Sequence, residues 1–223
     1  MTGQNHPKSP SLRKTRRRIE ALKRLTLENA DIDVLKEQLK PLLTGFRIRT
    51  PILNRGLELY RGVLWEDKPS TRSQLTYPPP EVITRYQRAN RPGEPRFYCS
   101  AARSAPFFEL HMSPGQRIAL SKWRLRENLA VNNVGYASSV FARVKSTRTE
   151  LPSWRGSDLL VDDTVNDLIT TFFSEQFAQD ITEGSEHLYK LSIAIAERHL
   201  GNIRGDIYGE KNVPVEKRFA GLI

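Results

Sequence analysis

Four residues in the middle of the chain carry side chains suited to an anionic, planar ligand: Arg61, Arg88, Tyr98 and Glu109. An arginine presents a planar fork of donors that fits phosphate or carboxylate. A tyrosine ring stacks on another flat ring or caps a core. A carboxylate among aromatics, as in Phe107-Phe108-Glu109-Leu110, stabilises a developing cation, holds a ribose hydroxyl or acts as a base. Such groups together are what cleavage of a nucleotide N-glycosidic bond needs. The diphosphate must be gripped, the leaving base oriented and the positive charge on the ribose offset, in a transition state like that of glycoside hydrolysis.

Each residue also has a plainer reading. Arg61 shares one face of a strand with Leu57, Leu59, Val63 and Trp65 by period-two alternation. A guanidinium buried there is costly unless paired. It is therefore an anion clamp, one half of an internal salt bridge, or a residue on an edge strand whose face is not buried. Arg88 and Asn90 lie in the turn-like run Arg88-Ala89-Asn90-Arg91-Pro92-Gly93. Such a loop aims side chains and amides at a phosphate, or is an ordinary polar turn. Tyr98 alternates with Phe97 and Cys99 and points opposite to them. Glu109 reads equally as a solvated helix residue.

Other chemistries have less support. There is no HExxH, GxxxxGK[ST] or GxSxG. His6, His111, His187 and His199 lack metal spacing, so no metal is expected. Cys99 is expected to face the core with Phe97 rather than act as a nucleophile. Trp123 and Trp154 read as structural or interfacial.

The elements that must position these residues follow from periodicity. Residues 57–65 read as a strand carrying Arg61, and residues 96–101 as a short strand carrying Tyr98. Ser104 and Pro106 are start signals for a helix holding Glu109. Residues 117–125, 129–134 and 138–145 read as further strands. Helices are expected over 12–25, 31–43, 162–179 and 186–200, the last stopped by Gly201. Residues 1–11 read as disordered. Helices, mixed strands and helices in that order imply an α+β fold. The expected organisation is a basic arm with helices over 1–45 and a body over 46–223.

With 223 residues, 38% hydrophobic and 27% charged, the chain has the composition of a globular protein. Its formal net charge is +10, and residues 1–24 hold eight cations against Glu20 alone. The excess is thus largely a property of the N-terminal arm, which is suited to nucleic acid or a protein partner. One cysteine excludes an internal disulfide framework and a cysteine zinc cluster. No run of about 18 apolar residues exists, so no membrane partner is expected. The expected location is cytoplasmic.

Three blocks together resemble the RES domain family, found in toxins of bacterial toxin–antitoxin systems. Leu59-Tyr60-Arg61-Gly62 is similar to its first-arginine strand. Arg88-Ala89-Asn90-Arg91-Pro92-Gly93 is similar to its Arg/Asn block. Phe97-Tyr98, with Glu109 eleven positions after Tyr98, is similar to its strand-to-helix segment. The resemblance covers roughly residues 57–223. It implies a diphtheria-toxin-like ADP-ribosyltransferase fold with an N-terminal helical extension. It also implies NAD as substrate, consumed by hydrolysis or ADP-ribosyl transfer. Arg61 and Arg88 would bind NAD, Tyr98 would pack on the nicotinamide side, and Glu109 would be the catalytic carboxylate. The family's serine follows a strand whose opening Gly221-Leu222-Ile223 resembles, and the Tyr-Pro-Ser expected next is absent from this sequence. Ser192 lies in a helical stretch and is not assigned that role. An NAD consumer implies an inhibitory antitoxin or other regulatory protein, or an oligomer that gates it. The alternative is a basic nucleic-acid-binding protein or a catalytically inactive interaction protein.

Overall fold

Helix α1 spans Leu12–Lys23, and Thr15, Ile19 and Leu22 form its buried side. The computed structural model describes residues 10–47, 52–132, 134 and 164–200. The strand expected over 138–145, the stop at Gly201 and the apolar run ending at Ile223 lie outside the described residues. Helix α2 spans Ile32–Leu43 and starts where Asp31 caps it, accepting from the N–H groups of Asp33 at 2.7 Å and Val34 at 3.1 Å. Ile32, Leu35, Leu39 and Leu42 recur at helical spacing and are buried.

Four strands and a short helix come next. They are β1 (Ile52–Leu53), β2 (Glu58–Leu64), α3 (Ala105–Glu109), β3 (Ile118–Arg124) and β4 (Leu129–Ala130). Strand β2 pairs antiparallel with β3, from Glu58 opposite Arg124 to Leu64 opposite Ile118. The pair β1–β4 is antiparallel and short. Two helices follow, α4 (Thr164–Phe177) and α5 (Lys190–Leu200), the latter entered through a 3₁₀ turn at Glu186–Tyr189. The architecture is mixed helix with small sheets, an α+β arrangement.

One core joins all four longer helices. Ile19, Leu22, Leu35, Leu39 and Leu42 of α1 and α2 pack with Ile169, Phe172 and Phe173 of α4 and Ile193 and Ile195 of α5. The boundary expected near residue 45 therefore does not divide two cores. Helices of about twelve residues are marginal alone, and their apolar stripes are stabilised by packing on partners. Asn166 of α4 fastens the chain leaving α2: its side-chain amide accepts from Arg47 N–H at 2.8 Å and donates to Arg47 C=O at 3.0 Å. A second, smaller core of Leu53, Leu59 and Leu125 lies under the strands with Cys99 and Trp123 against it. No helix among the described residues is long and apolar enough to cross a membrane.

Two expected strands are shorter than their patterns imply. The described residues of 129–134 contribute the two-residue β4. Residues 96–101 form isolated bridges rather than a ladder, among them Ser100 with Tyr60, sealed by bonds of 2.7 and 2.8 Å. The carbonyl of Tyr98 accepts from the Arg61 side chain, so it is engaged away from that backbone bridge. The start signal at Ser104 also acts differently: its side chain makes no cap bond, and the short helix is marked by buried Pro106 in its first turn.

Candidate functional site

Arg61 lies in β2, opposite Ser121 of β3. Its Nη1 donates to the Tyr98 carbonyl at 3.1 Å. Its guanidinium carbon lies 5.3 Å from the centroid of the Phe97 ring. Phe97 meets Trp123 edge-on at 5.2 Å, and Arg72 covers the Trp123 ring at the same distance. Arg61 is thus half-buried among rings. Burial pushes its pKa below the usual arginine value, only partly offset by Cys99, Tyr98 and Tyr77. It makes no ion pair among the described residues, and its Nε is buried with no hydrogen-bond partner. Of the readings open from the sequence, the internal salt bridge is absent among these residues.

Tyr98 links this arginine to the turn after residue 86. Its main chain holds Arg61, while its hydroxyl donates to Asn90 Oδ1 at 2.7 Å and accepts from Ala89 N–H at 3.2 Å. Its ring packs against the helical core. Burial, opposed by the Ala89 N–H and by Arg96 and Arg88, pushes its hydroxyl pKa up to about 12. The hydroxyl of this residue, whose ring was expected to face a planar ligand, is engaged in holding the turn.

The turn itself is closed by Gln87 and Asn90, each of which donates its N–H to the other's carbonyl. Asn90 is fully buried and Arg88 half-buried. The Arg88 carbonyl accepts from Ser192 Oγ at 2.7 Å, so α5 fixes the backbone while the guanidinium keeps no ion pair among the described residues. Arg91 differs. It grips Glu197 through two bonds and reaches Asp33 at 3.0 Å, tying the turn to α5 and α2. Its pKa is raised, chiefly by the Glu197 hydrogen bond.

Glu109 stands apart. It is the exposed last residue of α3 and shares no hydrogen bond or ion pair with Arg61, Arg88 or Tyr98. Helix α3 packs on Gly62, where an added Cβ would lie 2.8 Å from Pro106 Cβ and 3.0 Å from Leu110 Cδ1. Adjacent strand residues point to opposite faces, so α3 covers the face of β2 away from the Arg61 side chain. Arg61, Arg88, Tyr98 and Asn90 are brought into one connected group; Glu109 is not joined to it.

Ser192, Phe97 and Arg72 also belong to this neighbourhood, and none of them was expected to line the site. For Phe97 the signal was present, since it alternates with Tyr98 and so had to share a side with Cys99. Nothing local to Ser192 points to Arg88, which lies 104 positions away.

Cys99 is half-buried, and burial pushes its thiol up to about 12 against the opposing charge of Arg61. It is a protonated thiol near neutral pH, a poor nucleophile. Among the described residues no group of three or more His, Cys, Asp or Glu is placed to hold a metal. No family model matches the chain, and no match is found among curated proteins or solved structures.

Proposed function

We propose that the chain binds NAD through Arg61 and Arg88 and cleaves its nicotinamide–ribose bond, as a RES-type toxin or effector domain with a diphtheria-toxin-like ADP-ribosyltransferase fold. One observation carries the binding half. Arg61 is a desolvated guanidinium with no acidic partner among the described residues and a buried, unpartnered Nε. A cation held that way gains most from an anion that supplies the missing acceptor. Arg88, held by Ser192 through its carbonyl, adds a second cation close enough to act on the Tyr98 hydroxyl. Tyr98 holds Arg61 through its main chain and, through its hydroxyl, the turn that carries Arg88. Its ring is not assigned to the nicotinamide.

The cleavage half rests on the resemblance in sequence and on Glu109. In that reading the bond from ribose C1′ to the nicotinamide nitrogen breaks, nicotinamide leaves with the bonding pair, and the Glu109 carboxylate offsets the cation left on the ribose. Water, phosphate or a protein side chain then takes the ADP-ribosyl group. An inhibitory antitoxin or other regulatory partner in the cytoplasm follows from this reading, because unrestrained NAD loss harms the cell that makes the protein.

The test is to incubate the chain with NAD and follow free nicotinamide alongside NAD binding. Release that Glu109→Gln abolishes supports both halves. Binding without release overturns the cleavage assignment. Neither binding nor release overturns the reading entirely.

A further inference from the structure

The cations of α1 form a surface separate from this site. Arg13, Lys14, Arg16, Arg17 and Arg24, the last just past the helix end, are exposed. They make no ion pair or side-chain hydrogen bond among the described residues. The neighbouring cations are occupied: Arg18 donates to the Pro41 carbonyl at 2.9 Å and Lys23 pairs with Glu175. At 3.6 residues per turn the five free cations cover roughly 160° of the helix circumference, and Arg13 to Arg24 spans about 16 Å. Glu20 is the only acid in the helix.

We propose that this face binds the phosphate backbone of double-helical DNA, without sequence preference. The partner follows from what the helix offers and what it has already used. Its apolar side, Thr15, Ile19 and Leu22, is buried in the helical core, so it has no face left to sink into a lipid surface. The outward side carries no aromatic or large apolar anchor of the kind that dominates protein interfaces. It has no ring on which the bases of a single strand would stack. What remains is a rigid, arginine-rich row. Duplex DNA carries about one charge per 1.7 Å, and its major groove is roughly 12 Å wide and flanked by phosphates. Double-stranded RNA presents a deep, narrow major groove that fits a helix poorly.

Anisotropy of a labelled 20-base-pair DNA duplex, titrated with the 223-residue chain across a salt series, tests this. Engaging five phosphates predicts a log–log salt slope of about −4.5. The combined change Arg13→Gln, Arg16→Gln and Arg17→Gln lowers affinity at least tenfold and makes the slope shallower by about 3. A control of equal charge change, Arg55→Gln, Lys68→Gln and Arg126→Gln, retains binding; all three sites are exposed. Circular dichroism confirms that both variants fold. Deleting α1 is not a substitute, because it removes Ile19 and Leu22 from the core. No salt-dependent binding, equal loss in the control variant, or tighter binding to single-stranded RNA, double-stranded RNA or an acidic polypeptide overturns the proposal. The experiment contains no NAD, so its outcome is independent of the enzymatic reading.

Discussion

The Arg61 guanidinium donates to the carbonyl of Tyr98 at 3.1 Å, and the hydroxyl of that same tyrosine donates to Asn90 at 2.7 Å. One residue thereby holds a strand arginine with its main chain and an arginine-bearing turn with its side chain. The Arg61 guanidinium and the Arg88 backbone are held by the fold before any ligand arrives, which lowers the ordering cost of gripping an anion.

Arg61 is held at the expense of stability. Replacing it by methionine keeps the chain bulk over Phe97 and removes an unpaired, desolvated charge. Urea unfolding of Arg61→Met is expected to give stability equal to or about 1 kcal/mol above the wild type. A loss of more than about 1 kcal/mol would mean that the Tyr98 carbonyl and the Phe97 ring outweigh the cost of burying the charge.

Tyr98→Phe leaves Asn90 Oδ1 and the Ala89 N–H without their partner. The expected cost is about 1–2 kcal/mol. The alkaline limb is also informative. Tyr98 and Cys99 are both pushed up to about 12 by burial, from ordinary values of 10.0 and 9.0. A folded-state pKa above the unfolded one means stability that is complete below the unfolded value and is lost as pH rises through the folded one. Wild-type stability should therefore fall between about pH 9 and 12. The Tyr98→Phe, Cys99→Ala double variant should fall less steeply; an identical slope would remove these groups from the account.

Gly62→Ala tests how α3 is seated. The added methyl would meet Ile118 Cδ1 at 2.6 Å and Pro106 Cβ at 2.8 Å, both closer than packed carbons tolerate. Destabilisation of about 1–3 kcal/mol is expected. Thermal unfolding that matches the wild type would show that α3 shifts freely.

Glu197 governs the acid limb. Burial raises its pKa, but hydrogen bonds from Arg91 and Lys36 outweigh that and leave it lowered. Asp33, bonded first by Lys36 and then by Arg91, is lowered as well. A depressed carboxylate stabilises the fold above its unfolded pKa, and that contribution disappears as pH falls through the folded value. Denaturant midpoints of the wild type should drop below about pH 4.5, and those of Glu197→Gln should drop less while starting lower at neutral pH. A parallel pair of curves would contradict this.

Local periodicity was enough to locate α1, α2 and α4, because their apolar residues repeat every three to four positions over at least three turns. Alternation set Tyr98 and Cys99 on opposite sides of the chain, and the structure packs Tyr98 on the helical core and Cys99 on the core under the strands. Relationships between distant residues were not legible. Whether Arg61 met a carboxylate depended on which elements folded over it. The Ser192–Arg88 bond spans 104 positions, and the Arg91–Glu197 pair 106, with no local trace. The same limit hid the union of α1 and α2 with the later helices. An amphipathic stripe declares that a helix is packed without declaring its partner. The absence of a contact between Glu109 and Arg61 belongs here too: spacing along the chain does not say which face of β2 receives α3.

The most direct measurement is a calorimetric titration of NAD into the wild-type chain and into Arg61→Met. Saturable binding by the wild type, weakened at least tenfold in the variant while its unfolding stability is retained, is the predicted result. No binding by the wild type, or equal affinity in the two proteins, would contradict the assignment of NAD to this arginine.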